Sequence, residues 1–412
     1  MTPHILVIHR WRDAYARYAD YVDHGTHQVT YVTTELGRAS VPAGAAEVRV
    51  VPATDDFDAV WPVVAELVGR FGAPSRLLAL NEGDLDCAAR VRARLGCAGQ
   101  DPAALARFRD KLTMVDTVAS AGVRTPEFAD APDEQSIMDF AAVHGWPLIV
   151  KPRKGTASRG VLRLNSAADV ALLRGLPWEP RVVQVFCPDP ILHIDGYWDG
   201  TALGPWRASR YVNTCVGFTE GDVLGSVELD DEHVPPALGE FTAAVGGALS
   251  DEPWVFHLEA FLGTEPDGSP RLTFLEAGYR VGGAEIPFVW REVHGIDLMR
   301  VAAEVQLGVR SVVDIPETWR TAGWLLVPTP VPAPCRVVSW ELPEAPKPED
   351  RPYAVVVPAA GGVIPKVGGY EHVGARIRFN GRGTGEVEKA IVRTAAEFRL
   401  DCQPLETAGA VR

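Results

Sequence analysis

Residues 255–287 read VFHLEAFLGTEPDGSPRLTFLEAGYRVGGAEIP. Two apolar runs flank a polar segment, Thr264–Pro270, that is rich in Asp, Gly and Pro, and this pattern predicts a β-hairpin with a long loop. Each predicted strand carries one acid among apolar neighbours, Glu259 and Glu276. A carboxylate in a buried strand is costly unless it is paired or bound to a metal ion. The hairpin therefore predicts a site for Mg²⁺ and phosphate oxygens, with two solvated edge-strand acids as the alternative.

The hundred residues at the N-terminus alternate between strand and helix patterns. Apolar strands are predicted at 4–9, 28–33, 47–52 and 76–80, with helical spacing at 13–23, 57–71 and 84–95. Such alternation predicts a parallel sheet with ligand space at the carboxyl ends of its strands. No G-x-G-x-x-G follows the first strand, so the usual dinucleotide fingerprint is missing. Glu82 follows the fourth strand, where it is either a substrate contact or a helix N-terminal acid.

A second informative stretch, WPLIVKPRKGTASRGVLRL, covers residues 146–164. A strand at 148–151 ends in Lys151, and a second strand is predicted at 161–164. The loop between them contains small residues that let backbone N–H groups approach an anion, namely Gly155, Thr156, Ser158 and Gly160. It lacks the G-K-[ST] of a Walker A loop. The basic residues of the loop, including Lys154, favour phosphate over an ordinary solvated hairpin.

Composition limits the function classes. The chain has 412 residues, a net charge of −14 and six cysteines without a C-x-x-C pair. The negative charge argues against general nucleic-acid binding, and the cysteine spacing argues against a structural zinc site. No apolar run approaches the length of a membrane span. We expect no nucleic-acid or membrane partner and a reduced, cytoplasmic setting.

Other segments give weaker predictions. Residues 101–122 have helical character and contain Lys111, and residues 289–308 form either one long helix or a helix pair. Strands are predicted at 181–186, 191–198 and 201–211. Arg207 and Arg210 in the last of these are either ligands for a substrate carboxylate or exposed strand charges.

Together these pieces resemble the ATP-grasp superfamily, and within it the carboxylate–amine ligases of the L-amino acid ligase type. The resemblance lies in a helix-borne Lys111, the strand-end Lys151-Pro152 with its glycine loop, the Gln184-Val-Phe strand and the hairpin acids. The hairpin carries the H-x-E and E-x-x-x-R-x-G-G patterns as His257-Leu-Glu259 and Glu276-Ala-Gly-Tyr-Arg280-Val-Gly282-Gly283. The resemblance to this superfamily is good over about residues 75–310 and loose at the two ends of the chain.

The resemblance implies an α/β and α+β chain with the ATP-grasp fold. An N-terminal Rossmann-like parallel α/β domain would occupy residues 1–100. The nucleotide-binding lid subdomain would span 101–190, the central catalytic sheet 191–320, and a mixed C-terminal subdomain 321–412.

The resemblance also implies roles for individual residues. ATP phosphates would be bound by Lys111, Lys151, Lys154 and the loop residues Gly155, Thr156, Ser158 and Gly160. Adenine would be read by Gln184 and the backbone near Val185 and Phe186, with His193 or Asp195 at the ribose. Glu259 and Glu276 would bind two Mg²⁺ ions, for which Mn²⁺ can substitute. Lys151 and Arg280 would act in catalysis, and substrate contacts would come from Glu82, Arg207, Arg210, His257, Gly282 and Gly283.

Two positions depart from the family pattern. Gln184 stands where the family often has Glu, and Gly278 replaces the Asn that is common in the wider superfamily. The second departure puts one metal ligand in doubt.

The implied reaction joins a small-molecule carboxylate to an amine through an acyl-phosphate, with release of ADP and phosphate. A carboxylase of the biotin carboxylase kind and a catalytically inactive nucleotide-binding module are the alternatives. A homodimer is compatible with either enzymatic function.

Overall fold

The computed structural model describes residues 3–11, 15–155, 159–177, 179–213, 217–218, 220–309, 313, 320–366 and 370–405. The strands are β1 (His4–His9), β2 (Gln28–Thr33), β3 (Glu47–Val50), β4 (Arg76–Ala79), β5 (Phe128–Asp130), β6 (Leu148–Pro152), β7 (Leu162–Leu164), β8 (Arg181–Val185), β9 (Ile191–Trp198), β10 (Leu203–Tyr211), β11 (Leu224–Glu228), β12 (Trp254–Thr264), β13 (Pro270–Gly278), β14 (Thr321–Val327), β15 (Cys335–Glu341), β16 (Ala354–Val356), β17 (Val363–Ile364), β18 (Ala375–Gly381) and β19 (Arg399–Pro404). The helices are α1 (Tyr18–Tyr21), α2 (Phe57–Phe71), α3 (Leu85–Leu95), α4 (Pro102–Arg109), α5 (Lys111–Ser120), α6 (Glu134–His144), α7 (Leu238–Leu249), α8 (Ile286–Val293), α9 (Leu298–Leu307) and α10 (Thr384–Glu397).

The N-terminal sheet is parallel, with the strand order β3-β2-β1-β4. This arrangement confirms the prediction from alternating strand and helix patterns. On one face, α2 packs the buried side chains of Val60, Val64 and Leu67. The Gln306 side chain of α9 hydrogen-bonds both the N and the O of Ala79 at 2.9 Å. The carboxyl end of β4 leads directly into a 3-10 turn that begins at Glu82.

The central sheet is antiparallel and has the strand order β13-β12-β9-β10-β11-β14-β18-β16. The predicted boundary at residue 320 divides this sheet, because β14 pairs with β11 and β18 pairs with β14. The hydrogen bonding of these strands therefore carries the central sheet into the C-terminal quarter of the chain. A separate three-stranded sheet, β17-β15-β19, lies within that quarter.

A four-stranded antiparallel sheet has the order β5-β8-β6-β7. One face, with Val150 and Val183, packs against α6 in a buried apolar cluster. Lys151 pairs with Val182, and Gln184 pairs with Ile149. Because neighbouring residues of a strand point to opposite faces, Lys151 and Gln184 share the face away from α6.

Two helical predictions, at 101–122 and 13–23, differ from the structure, and at 289–308 the structure has the helix pair, which was one of the two alternatives. The predicted helix at 101–122 is two helices, because the Asp110 carboxylate accepts the backbone N–H groups of Leu112 and Thr113 at 3.1 and 3.3 Å and begins a new helix. Residues 286–307 form a helix pair, and a side-chain cap at Asp297 begins the second helix. In the 13–23 region α1 spans only Tyr18–Tyr21, and residues 12–14 lie outside the described part. Among the described residues, the helices are all too short or too polar to cross a membrane.

Candidate active site

The two hairpin acids lie directly opposite each other. Glu259 of β12 pairs with Glu276 of β13, and the register then shifts, because Ala260 pairs with Phe274 and leaves Leu275 of β13 as the extra residue. The Tyr211 hydroxyl donates a hydrogen bond to Glu259 Oε1 at 2.8 Å. Burial and the neighbouring Glu276 carboxylate raise the pKa of Glu259. Burial also opposes ionisation of Glu276, but Lys111 and Lys151 outweigh it and lower the pKa of that acid.

Two lysines face these acids from different elements. Lys111 begins α5, and its Nζ lies 3.4 Å from Glu276 Oε2. The same ammonium donates to the backbone O of Gly155 at 3.1 Å. Lys151 on β6 is only 4% exposed. Burial lowers the pKa of Lys151 to about 8, against the attraction of Glu276.

Arg280 follows β13 and approaches the same acids. Its Nε donates to Glu82 Oε2 at 2.7 Å, and its Nη1 donates to the backbone O of Val281 at 3.1 Å. A Cβ placed on Gly278 would lie 3.3 Å from Arg280 Cγ and 3.5 Å from Arg280 Nε. Gly278 therefore leaves room for the guanidinium to fold back toward Glu82. The predicted substrate contact, Glu82, is in this structure an ion-pair partner of Arg280.

A histidine–aspartate cluster adjoins Glu259. Asp195 Oδ1 lies 2.8 Å from His257 Nδ1, and Asp195 Oδ2 lies 2.7 Å from His193 Nδ1. His193 Nε2 lies 2.7 Å from Ser226 Oγ. The His193 side chain is 1% exposed and both ring nitrogens have partners, so the predicted ribose contact there would have to replace one of these hydrogen bonds. The three residues offer ligand atoms within 4.8 Å of one another, but both Asp195 oxygens already bind imidazole nitrogens.

The glycines after Arg280 differ in their surroundings. A Cβ on Gly282 would collide with Asp195 Oδ1 and lie 2.9 Å from His257 Nδ1, so its backbone packs directly on this pair. A Cβ on Gly283 would lie 3.4 Å from the Tyr370 ring, which is an ordinary contact. Gly282 is therefore the glycine that the His257–Asp195 pair requires.

The predicted adenine contacts lie on β8 and directly after it. The N–H of Val185 donates to Glu127 O at 2.9 Å, and the N–H of Phe186 donates to Pro147 O at 3.2 Å. Any adenine contact by these two N–H groups would have to break their hydrogen bonds to Glu127 and Pro147. The Gln184 side chain faces away from α6 and is 4% exposed.

The glycine loop is described at its two ends. Gly160 adopts φ 71°, and a Cβ there would approach Pro152 Cγ to 2.9 Å. Lys154 Nζ lies 2.7 Å from Asp86 Oδ1. The predicted contacts at Thr156 and Ser158 lie outside the described residues.

The two arginines of β10 lie on opposite faces of the central sheet. Arg207 pairs with Asp195 of β9, and its Nη2 donates to the backbone O of Leu229 at 2.8 Å. Arg210 Nη2 lies 2.7 Å from Glu388 of α10. Arg210 lies on the face of the central sheet away from Glu259, which does not favour the predicted substrate contact there.

Two site residues, Tyr211 and Arg109, were not predicted from the sequence, because only tertiary contacts place them at the site. Tyr211 ends β10 and reaches Glu259 across the sheet. Arg109 is 8% exposed, pairs with Glu82 and donates from Nε to Asp86 Oδ2 at 3.0 Å. Polar residues alternate on β9, and residues two apart in a strand share a face. This alternation could have predicted that His193 and Asp195 lie side by side on one face of the sheet.

The site has the composition that Mg²⁺ and phosphate require. Two facing carboxylates supply hard oxygen ligands, which suit Mg²⁺. Three cations, Lys111, Lys151 and Arg280, surround these carboxylates and suit phosphate oxygens. Burial and, after it, the neighbouring Glu276 carboxylate raise the pKa of Glu259, and a bound cation would favour the charged form of both acids.

No protein-family model matches the chain. A D-alanine--D-alanine ligase from Streptomyces griseus subsp. griseus is 34% identical over 172 residues, which cover 39% of this chain and 38% of the ligase. The chain thus matches well under half the length of this curated relative.

Solved structures match almost the whole chain. The L-amino acid ligase from Bacillus licheniformis superimposes with a TM-score of 0.68 and 18% identity, covering 97% of this chain and 98% of that one. The biotin carboxylase domain of Hydrogenobacter thermophilus 2-oxoglutarate carboxylase, solved with MgADP, ADP and bicarbonate, has a TM-score of 0.64 and 13% identity, covering 98% and 91%. At these identities the likeness establishes architecture. The chain therefore has the ATP-grasp fold.

Proposed function

We propose that the protein is an ATP- and Mg²⁺-dependent ligase that forms an amide or peptide bond between two amino-acid-like substrates. The substrate carboxylate would be activated as an acyl-phosphate, and the amine of the second substrate would then displace phosphate. When bound, ATP would supply the phosphoryl group and Mg²⁺ would neutralise its charge.

The observation that carries this proposal is the convergence of Glu259, Glu276, Lys111, Lys151 and Arg280 at one place. A carboxylate is a poor electrophile at neutral pH, so its activation needs charge neutralisation and in-line positioning. Glu259 and Glu276 would hold Mg²⁺ ions, for which Mn²⁺ can substitute. Lys111 and Lys151 would hold phosphate oxygens, and Arg280 would hold the transferring group or the acyl-phosphate.

The remaining contacts are proposed on the same basis. Gln184 would face adenine, the loop around Gly155 and Gly160 would cover the phosphates, and His257, Gly282 and Gly283 would line the acceptor side. The part of the chain that includes α6 and the sheet β5-β8-β6-β7 would be the lid. This division follows the resemblance and the sheet topology.

The amino-acid character of the substrates is supported by the names of the matched proteins, a D-alanine--D-alanine ligase and an L-amino acid ligase. We also propose a cytoplasmic setting, with small molecules as the partners and a homodimer as a compatible assembly. The described cysteines, Cys87, Cys97, Cys187, Cys335 and Cys402, are free thiols, which suits a reducing compartment.

The test is a phosphate-release screen. The full chain is incubated with ATP, Mg²⁺ and pairs of amino acids, and phosphate is measured against samples without amino acids. We expect release that depends on both a carboxylate and an amine, together with a coupled product of matching mass.

Variants assign that activity to the site. Glu276→Gln keeps the shape of the side chain, removes the negative charge and should abolish release. Glu240→Gln is the matched control, because Glu240 is exposed on α7. Bicarbonate-dependent release without an amine requirement would favour the carboxylase, and nucleotide binding without any release would favour the inactive module.

A further inference from the structure

Five charged side chains of alternating sign connect the glycine loop to Arg280. Lys154 Nζ lies 2.7 Å from Asp86 Oδ1, and Asp86 Oδ2 accepts from Arg109 Nε at 3.0 Å. Arg109 Nη1 pairs with Glu82 Oε1, and Glu82 Oε2 accepts from Arg280 Nε at 2.7 Å. We call these five residues the charge chain.

Each acid in the charge chain divides its two oxygens between two cations. Asp86 connects the loop to α4, and Glu82 connects α4 to the segment after β13. Burial opposes ionisation of both acids, but Arg280 and Arg109 outweigh it at Glu82, and Lys154 and Arg109 outweigh it at Asp86. The pKa of each acid is therefore lowered, and both acids are charged at neutral pH.

The two ends of the charge chain differ in exposure. The Lys154 side chain is 58% exposed, whereas Arg109 is 8% exposed. An exposed ion pair contributes little and is easily exchanged for another partner. An acid that loses a buried partner is left uncompensated, which is strongly unfavourable. The outer contact can therefore open while the inner contacts stay closed.

We infer that Asp86 and Arg109 are positioning residues, which hold Arg280 through Glu82, and that Asp86 competes with nucleotide phosphates for Lys154. This inference rests on the proposed function, because it takes Lys154 as a phosphate ligand and Arg280 as the group at the reacting phosphoryl. Arg109 touches neither and acts through Glu82.

Removing the charge of Asp86 should affect the two ends in opposite directions. Lys154 loses its internal partner, so nucleotide affinity should stay the same or increase. Arg109 loses one of its two acids and Glu82 loses its fixed position, so Arg280 should be less well placed. A general structural defect would instead weaken binding and turnover together.

The experiment compares Asp86→Asn with the wild type and with Asp130→Asn. Asp130 is a matched control, because it pairs with Arg153 at 3.4 Å in the lid and lies outside the charge chain. The MgADP dissociation constant is measured by calorimetry, and phosphate release is measured with ATP, Mg²⁺ and an equimolar mixture of the twenty protein amino acids. Melting temperatures identify a variant that has lost its fold.

For Asp86→Asn we expect a MgADP dissociation constant at or below the wild-type value. We expect kcat for phosphate release to fall by about tenfold or more, the scale of one lost charge-assisted hydrogen bond. Asp86→Glu, which restores the charge, should recover part of the loss. Arg109→Lys keeps the positive charge but not a side chain that reaches both Glu82 and Asp86. It should likewise lower kcat without weakening MgADP binding. It replaces Asp86→Asn in the test if that variant does not fold.

Weaker MgADP binding by Asp86→Asn, or an unchanged kcat, overturns the inference. Wild-type protein that binds MgADP but releases no phosphate with the amino-acid mixture contradicts the proposed function, and the affinity comparison then still tests the competition for Lys154. Wild-type protein that binds no MgADP overturns both.

Discussion

Lys151→Met should make the nucleotide-free protein more stable at neutral pH while abolishing its activity. Lys151 is 4% exposed, and burial lowers its pKa from 10.5 to about 8. Each pKa unit corresponds to about 1.4 kcal/mol, so the charged ammonium costs the folded protein roughly 3 kcal/mol at pH 7. Methionine fills similar space without this cost. The nearby Glu276 keeps Lys111 as its partner at 3.4 Å.

The stability difference between Lys151→Met and the wild type depends on pH, and the lowered pKa of Lys151 sets its direction. The folded protein releases the Lys151 proton near pH 8, and the unfolded chain releases it near pH 10.5. Between these values the unfolded state binds more protons, so wild-type stability rises with pH relative to the variant. The variant should therefore have the higher melting temperature at pH 7, and this difference should disappear by about pH 10.

The assay is thermal unfolding in EDTA without nucleotide, at pH 7 and pH 10, combined with phosphate release at pH 7. Lys389→Met is the control, because it removes an exposed lysine from α10. The reasoning is refuted if Lys151→Met melts below the wild type at pH 7, or if its melting difference is the same at both pH values. A variant that keeps wild-type phosphate release would refute the assignment of Lys151 to the site.

Three further predictions concern the surroundings of the acids. Gly282→Ala places a methyl group against Asp195 and His257. It should cost about 1–3 kcal/mol of stability and reduce turnover. An unfolding curve and a kcat equal to those of the wild type would contradict this close packing. Tyr211→Phe removes a 2.8 Å hydrogen bond to Glu259, so the concentration of Mg²⁺ at half-maximal activity should change severalfold; no change would mean that the hydroxyl does not act on Glu259. Arg210→Met should leave the KM of both substrates within about twofold, in line with near-neutral changes outside contact residues; a large rise in either KM would restore Arg210 as a substrate contact.

The parts of the site that the sequence predicts best are those set by local geometry. Glu259 and Glu276 have apolar neighbours in two strands joined by a turn, and a hairpin can bring only a few residue pairs opposite each other. The alternating pattern of the first hundred residues is equally local, and the parallel sheet follows from it. The facing of the two acids also needs the register shift after Glu259, because the register nearer the turn would place Leu275 opposite Glu259.

Other features depend on which face of a strand a residue occupies and on tertiary contacts. Arg207 and Arg210 are three residues apart, so they lie on opposite faces of β10, and strand alternation alone excludes one of them from the site. Asp110 looks like one more polar residue in a helix, and only its capping geometry shows where α5 begins. Arg109 resembles a solvated helix charge until α4 packs beside Glu82 and Asp86. Contacts of this kind join distant segments and leave no periodic signal.

The predicted domain boundary at residue 320 follows from the resemblance. Strand pairing between β11, β14 and β18 crosses that boundary, because an antiparallel sheet can recruit strands from any distance along the chain. The assignment of individual residues to ATP, Mg²⁺ and the substrates stays a prediction.

The proposed reaction requires transfer of a phosphoryl group to a substrate carboxylate. This transfer can be followed with the amino-acid mixture labelled with ¹⁸O in the carboxylates, in unlabelled water with ATP and Mg²⁺. Because the acyl-phosphate releases phosphate that keeps one carboxylate oxygen, we predict one ¹⁸O atom in each phosphate formed by the wild type and none formed by Glu276→Gln. Phosphate without ¹⁸O from an active wild-type protein would contradict the proposed transfer, because the oxygen would then have come from water.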